Sequence, residues 1–308
     1  MPTGPVRQVK RVVRRVVAQR SVNRLVTATL RPLSHSMSPR TLLRIPVTRI
    51  VEVEFPWCEG TLRLDAGSDD PIASMLYWHG STGWEPETMP VFLRLVSPGM
   101  TVLDVGANTG LFSLLAARRS ASVQVHAIEP VPGVYSMLRA NAERNGLPNI
   151  TCHRLALSDS DGSVTMYVPR EKTPVMASLR PGWREDADQI TVLTQTLDQL
   201  VEELGLTRVD LIKIDTEGTE DSVLKGAART LQAHRPFIIC EVLAGANTAT
   251  ALAEQLLGAD YAFFVLAEDG PRPTHRILGQ PVVGCHNYLF VPRSRLPDAQ
   301  RLLALPSH

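Results

Sequence analysis

The chain has 308 residues, 44% of them hydrophobic and 20% charged, a composition that supports one large domain with a buried core plus an appendage. Its four cysteines, Cys58, Cys152, Cys240 and Cys285, are far apart, which excludes a C-x-x-C redox or metal motif and points to reduced, packed thiols in a cytoplasmic protein. The net charge of +1 is unevenly spread: residues 1–50 hold eleven lysines and arginines and no acid, leaving −10 for the remainder.

From Val6 to Leu30, Val9, Val12, Val13, Val16 and Val17 recur at three- and four-residue spacing, with Arg7, Lys10, Arg11, Arg14 and Arg15 between them. This is the pattern of a basic amphipathic helix. Three uses stay open for it: peripheral contact with an anionic membrane or acidic partner, packing on the main domain, or an organellar presequence. No run approaches the ~18 apolar residues of a spanning helix, and arginines interrupt the place of a secretory h-region. Residues 1–45 therefore form a basic extension. Residues 46–98 are expected to form a small β and lid region. Val51, Val53, Phe55, Leu62 and Leu64 alternate with polar residues around Gly60, as in a hairpin. The line from Asp69 to Pro98, with Tyr77, Trp78, His79, Gly83 and Trp84, suits the wall or lid of a pocket.

After Pro98 and Gly99, strand and helix patterns alternate. Strands are expected at Thr101–Val105, Val123–Ile128, Ile150–Leu155, Val209–Ile214, Phe237–Val242, Tyr261–Leu266 and Tyr288–Val291, with inserted β segments at Gly162–Val168 and Gln189–Thr194. Helices fall at Leu111–Arg118, Gly133–Asn145, Leu197–Leu204, Thr219–Ala233 and Ala249–Leu257. Such alternation implies an α/β domain over residues 99–294, a mostly parallel sheet with helices on both faces, followed by a tail at 295–308.

The first strand ends in Asp104-Val105-Gly106-Ala107-Asn108-Thr109-Gly110 and leads into a helix, a turn where glycine lets the backbone approach a ligand. The second ends in Glu129-Pro130, and an acid there can accept both hydroxyls of an adenosine ribose. A dinucleotide loop would read G-x-G-x-x-G, whereas this one is Gly106-x-x-x-Gly110, with no lysine or arginine and with Asp104 beside it. An acidic loop of this kind favours the sulfonium of S-adenosylmethionine over a pyrophosphate. An NAD-binding oxidoreductase and a non-enzymatic membrane-associated module stay open as alternatives.

These motifs resemble those of the FkbM family of methyltransferases. Further matches are Trp84-Glu85-Pro86, Asn141 to Asn145, Ala156-Leu157-Ser158-Asp159, Thr196-Leu197-Asp198 and, above all, Lys213-Ile214-Asp215-Thr216-Glu217-Gly218-Thr219-Glu220, in the family's order from about Met75 to Pro292. The resemblance implies a Rossmann-like class I methyltransferase fold with a seven-stranded sheet; the basic helical and hairpin extension lies mostly outside it. It also implies O-methylation of a hydroxyl on a sugar, glycolipid or secondary metabolite. Asp104, Gly106, Ala107, Asn108, Gly110 and Phe112 would shape the methionine and ribose end of the cofactor site. Glu129 with Pro130 would hold the ribose, and Asp159 would reach the adenine amine. Asp215 is the first candidate for general base or hydroxyl acceptor, Glu217 the second, with His79 and His286 as bases bordering the pocket. Asp215 with Glu241 could take a hard cation such as Mg²⁺, although no ligand-dense motif supports it. The acceptor is expected to be a small molecule, a sugar or lipid-linked; a nucleic acid is not expected.

Overall fold

In the computed structural model the described residues are 16–17, 19–67, 70–169, 187–243, 248–278 and 286–303. The basic stripe of residues 6–15, Cys285 and the side chain of His286 lie outside them. Among the described residues no helix is long and apolar enough to cross a membrane. The chain divides into two compact units, Met1–Pro86 and Glu87–His308.

The first unit contains α1 (Arg20–Leu30), a 3-10 turn (Arg31–Ser36), α2 (Pro39–Leu42), the strands β1 (Ile50–Glu54) and β2 (Thr61–Asp65), and α3 (Pro71–His79). The expected hairpin forms: Val51 faces Leu64 and Val53 faces Leu62 across the antiparallel pair, and all four are buried. The expected lid is corrected over 71–79. Asp70 accepts a hydrogen bond from Ile72 N at 2.9 Å and Pro71 takes the first helical position, so this stretch is a capped helix. Tyr77 and Trp78 are 7% and 2% exposed, part of this unit's interior.

The second unit begins with α4 (Met89–Leu95), then β3 (Thr101–Val105), α5 (Leu111–Arg119), β4 (Gln124–Ile128), α6 (Pro132–Arg144), β5 (Ile150–His153), β6 (Ala156–Leu157), β7 (Gly162–Pro169) and β8 (Ala187–Gln195). It continues with α7 (Leu197–Glu203), β9 (Leu211–Ile214), α8 (Glu220–Lys225), α9 (Ala228–His234), β10 (Phe237–Val242), α10 (Thr248–Gly258), β11 (Tyr261–Ala267), β12 (Gly270–Thr274), β13 (His286–Pro292) and α11 (Leu296–Leu303). The boundary thus falls at Pro86 and Glu87 rather than at 98 and 99. Phe92 of α4 stands edge-on to Phe112 of α5, with ring centroids 5.0 Å apart, which ties this helix to the second unit. At the other end the described part of the expected tail is helical over Leu296–Leu303, with Ala299 and Leu303 buried.

The main sheet runs β12-β11-β13-β10-β9-β3-β4-β5. The neighbouring pairs from β10 through β5 are parallel, and β13 lies antiparallel to both β10 and β11. The seven expected strands are all present, and β12 adds an eighth. Its Pro271 and Pro273 hide it from sequence patterns, yet an edge strand tolerates prolines because one side of its ladder is unpaired. Central strands are buried on both faces: Val102, Leu103, Leu211, Ile212, Ile238 and Ile239 are all 0% exposed. The inserted β segments form a separate sheet, β6-β8-β7.

The single helix expected over Thr219–Ala233 is two helices, α8 and α9, parted at Gly226. A Cβ there would stand 2.1 Å from the Ser158 carbonyl oxygen. Asp198 caps the second piece, accepting from Arg229 N and Thr230 N at 2.9 and 2.8 Å.

Candidate functional site

Successive strands move from β3 outward through β4 to β5, then return to the other side of β3 as β9 and β10. Beyond the carboxyl ends of β3 and β9, the crossovers diverge to opposite faces and leave a crevice. The Gly106 loop lines it. Gly106 N and Ala107 N both donate to the Ile128 carbonyl, at 3.0 and 2.9 Å, and Asp215 N donates to the Val105 carbonyl at 2.9 Å. Gly106 has φ 78°, and a Cβ on it would sit 1.9 Å from the Asp215 carbonyl oxygen, so only glycine fits this crossing. Asn108 also has a positive φ, of 50°, and its Oδ1 accepts from Thr109 N at 2.8 Å. From behind, the fully buried Asn141 of α6 donates from Nδ2 to the Thr109 carbonyl at 2.9 Å.

Glu129, at the end of β4, is 6% exposed. Its two oxygens accept from Asn108 N at 3.1 Å and Val131 N at 2.8 Å, so one carboxyl joins the β3 and β4 loops. Burial pushes its pKa up to about 7; the two amides oppose the rise, and the nearby Asp104 and Asp215 add to it.

Asp104 and Lys213 are register partners on β3 and β9 and share one face of the sheet. Asp104 accepts from Ser113 Oγ of α5 at 2.6 Å. Burial raises its pKa, against the pull of Lys213. Lys213 Nζ lies 4.4 Å from the Phe112 ring centroid and 3.1 Å from Asp215 Oδ2. For Asp215, burial acts upward, but the Lys213 charge and hydrogen bonds from Glu241 and Lys213 bring the carboxyl below its ordinary range. Glu217 behaves in the opposite way. Burial, then repulsion from Asp215 and Glu220, pushes it up to about 8, and its backbone holds φ 56°. Glu220, 0% exposed, gathers the loop after β9: its Oε1 accepts from Thr216 N, Thr216 Oγ1 and Gly218 N at 3.2, 3.0 and 2.8 Å.

A pocket opens between these loops and the small sheet. Gly106, Asn108, Glu129, Asp215 and Glu217 line one side, and Leu155, Ala156 and Met166 the other. Three carboxyls and no lysine or arginine face it among the described residues.

A sequence profile of the methyltransferase FkbM domain matches residues 104–263, just over half of the chain. The chain belongs to the FkbM methyltransferase family. The 31-O-demethyl-FK506 methyltransferase FkbM of Streptomyces tacrolimicus is 32% identical over 156 residues, 42% of this chain and 60% of that protein. Hexuronic acid methyltransferase AglP of Haloferax volcanii is 28% identical over 165 residues, 53% and 64% of the two chains. The FkbM-family match thus spans about six tenths of the length of these curated relatives. The crystal structure of methyltransferase FkbM from Methylobacillus flagellatus KT superposes with a TM-score of 0.45 at 16% identity, over 82% of this chain and 57% of that one.

In this FkbM-family chain the pocket collects Gly106, Asn108, Glu129, Pro130, Asp215 and Glu217 from the expected site residues. Asp104, Ala107, Gly110 and Phe112 are not among its lining. Strand alternation turns Asp104 toward α5 with Lys213, Phe112 packs on Phe92, and Gly110, at φ 96°, starts α5 close against Leu138. Asp159 is not in the lining either; it pairs with Lys225 at 2.8 Å, and that hydrogen bond lowers its pKa. His79 belongs to the N-terminal unit, its ring 5.5 Å from that of His35. Sequence reasoning assigned no role to Lys213, Asn141 or Glu220; all three stand inside the recognised motifs, but their work depends on partners that pattern does not reveal.

Asp215, Glu217 and Glu241 bring carboxyl oxygens within 4.8 Å of one another, the expected cation pair among them. An ion is disfavoured there: Asp215 Oδ2 already pairs with the Lys213 ammonium at 3.1 Å, a charge that a divalent ion would have to displace.

Proposed function

We propose that this chain transfers a methyl group from S-adenosylmethionine to a hydroxyl oxygen of a sugar, glycolipid or secondary metabolite. The observation that carries the reading is the pocket itself: a buried ribose-height carboxyl, Glu129, at the topological switch point, in a lining with acids and apolar groups but, among the described residues, no lysine or arginine. A pyrophosphate would meet three carboxyls there, whereas a sulfonium and a ribose would each find an acceptor.

S-adenosylmethionine supplies the electrophilic methyl carbon and the sulfonium charge. Glu129 accepts hydrogen bonds from the ribose hydroxyls. Leu155, Ala156 and Met166 offer apolar cover for the adenine. Asp215, kept ionised by Lys213, sets a negative charge at the mouth of β9. Glu217 rather than Asp215 takes the acceptor's proton, since its pKa near 8 suits a base working close to neutrality, while an ion-paired Asp215 is a weak one. Aligning oxygen, methyl carbon and sulfur contributes most of the remaining rate. The acceptor class rests on the relatives, an FK506 31-O-methyltransferase, a hexuronic acid methyltransferase and the 2-O-methyltransferase NoeI of Sinorhizobium fredii.

Calorimetric titration with S-adenosylhomocysteine and with NAD, on the wild type and Glu129→Ala, tests this directly. Binding of the first ligand only, lost in the variant, is expected. Binding of NAD, or S-adenosylhomocysteine affinity unaffected by the substitution, overturns the assignment of the pocket.

A further inference from the structure

Helix α1 sits with a polar stripe turned inward. Asn23 and Thr27, one turn apart, are 0% exposed, as is Ser34 in the following turn. Asn23 Nδ2 donates to the Pro46 carbonyl at 2.6 Å and its Oδ1 accepts from Thr48 N at 3.1 Å. Thr27 Oγ1 accepts from the Arg49 guanidinium at 2.6 Å, and Ser34 Oγ donates to the Trp78 carbonyl at 3.1 Å. These bonds fix the helix with Leu25 outward, 71% exposed; Leu33 in the 3-10 turn and Leu43 after α2 are 58% and 39% exposed. Here Asn23 and Thr27 take the innermost places, Val22, Val26 and Leu30 are half-buried, and Leu25 faces solvent. Six of the ten exposed large hydrophobic side chains among the described residues fall between Val16 and Trp57, so the excess belongs to this unit and not to the surface at large.

The part of that stretch from 16 to 50 is of one charge, with the exposed Glu52 and Glu54 following it. Residues 16–50 carry Arg20, Arg24, Arg31, Arg40, Arg44 and Arg49 and no acid. Arg49 is used internally on Thr27, whereas Arg40 and the chain neighbours of Leu25 and Leu43, Arg24 and Arg44, are exposed. We propose that this face of the N-terminal unit docks on an anionic lipid bilayer, with Leu25 and Leu33 entering the acyl boundary and Arg24, Arg40 and Arg44 meeting lipid phosphates. Outward leucines set among cations, with no acid from 16 to 50 to repel the surface, have the chemistry of an interfacial anchor. The inference stands apart from methyl transfer, since it concerns a different unit and a different readout.

The test is co-sedimentation of the full chain with vesicles of phosphatidylcholine alone and of phosphatidylcholine with about a third phosphatidylglycerol. The wild type binds the anionic vesicles at least about tenfold more strongly than the neutral ones. Leu25→Gln/Leu33→Gln lowers that binding about tenfold, and Arg24→Gln/Arg40→Gln about 25-fold, at roughly fivefold per arginine. Unchanged circular dichroism and S-adenosylhomocysteine binding show that each variant is folded. Wild-type protein that ignores anionic vesicles overturns the proposal, as does a leucine variant that binds them fully. So does binding to poly-glutamate that is as strong as vesicle binding and insensitive to the leucines, which would mark an acidic protein as the partner.

Discussion

Cofactor affinity is expected to follow the ionisation of Glu129. The carboxyl is buried, its pKa is pushed up to about 7, and it must be ionised to accept two ribose hydroxyls. With a pKa near 7, about a tenth of the free protein is ionised at pH 6 and about nine tenths at pH 8, so S-adenosylhomocysteine should bind about tenfold more weakly at pH 6, or about 1.4 kcal/mol. The neutral thioether ligand is the right probe, because a sulfonium would also favour ionisation of Glu217. Calorimetry in buffers of different ionisation enthalpy counts the proton directly: release of about 0.9 at pH 6 should fall to about 0.1 at pH 8. Glu129→Gln should remove this dependence and weaken binding by about 10- to 100-fold, since hydrogen bonds to a charged acceptor contribute ~1.5–3 kcal/mol. Stability moves the other way. A carboxyl whose folded pKa lies above its unfolded value stabilises fully below about 4.5 and loses that contribution as pH rises through about 7. The unliganded protein should therefore lose on the order of 3 kcal/mol between pH 4 and 8 from this group. Affinity that is flat from pH 6 to 8, with no proton released, would refute the assignment of Glu129 as an ionisable ribose acceptor.

Gly106→Ala should destabilise the fold by at least ~2 kcal/mol and abolish S-adenosylhomocysteine binding, because its Cβ has no room against the Asp215 carbonyl and φ 78° is strained for alanine; thermal melting and titration read both effects. Lys213→Met leaves Asp104 and Asp215 without their shared cation, and denaturant unfolding should show a loss of ~3–5 kcal/mol at pH 8. The substitution raises both carboxyl pKa values, so the penalty should shrink toward pH 5; an equal penalty at both pH values would contradict the charge argument. Glu217→Gln should lower kcat by about 10²–10⁴ on a hydroxyl acceptor while S-adenosylhomocysteine affinity changes less than about twofold. The wild-type rate should rise with pH through about 8, where the base ionises, and the variant should lose that limb.

Much of the catalytic unit was legible in the chain. Strands at Thr101–Val105 and Phe237–Val242 formed at the expected residues, because short apolar runs bounded by breakers have few other places to be buried. Gly106 and Glu129 were legible too, since one is required by backbone crossing and the other by the end of a strand. The eighth strand was not, because Pro271 and Pro273 are acceptable only at an edge, and an edge is a property of the assembled sheet.

Which carboxyl does what was decided in three dimensions. Asp104, Asp215 and Glu217 look alike in sequence, yet Ser113 holds the first under α5, Lys213 ionises the second, and burial, then crowding by Asp215 and Glu220, keeps the third protonated toward pH 8. The face that α1 turns outward was likewise set from afar, by Pro46, Thr48 and Arg49 bonding Asn23 and Thr27. Periodicity along a chain records which residues can be buried, because burial repeats with the geometry of helix and strand. Proton affinity and side-chain orientation depend on the nearest charges and donors, and those are brought together only when distant segments pack.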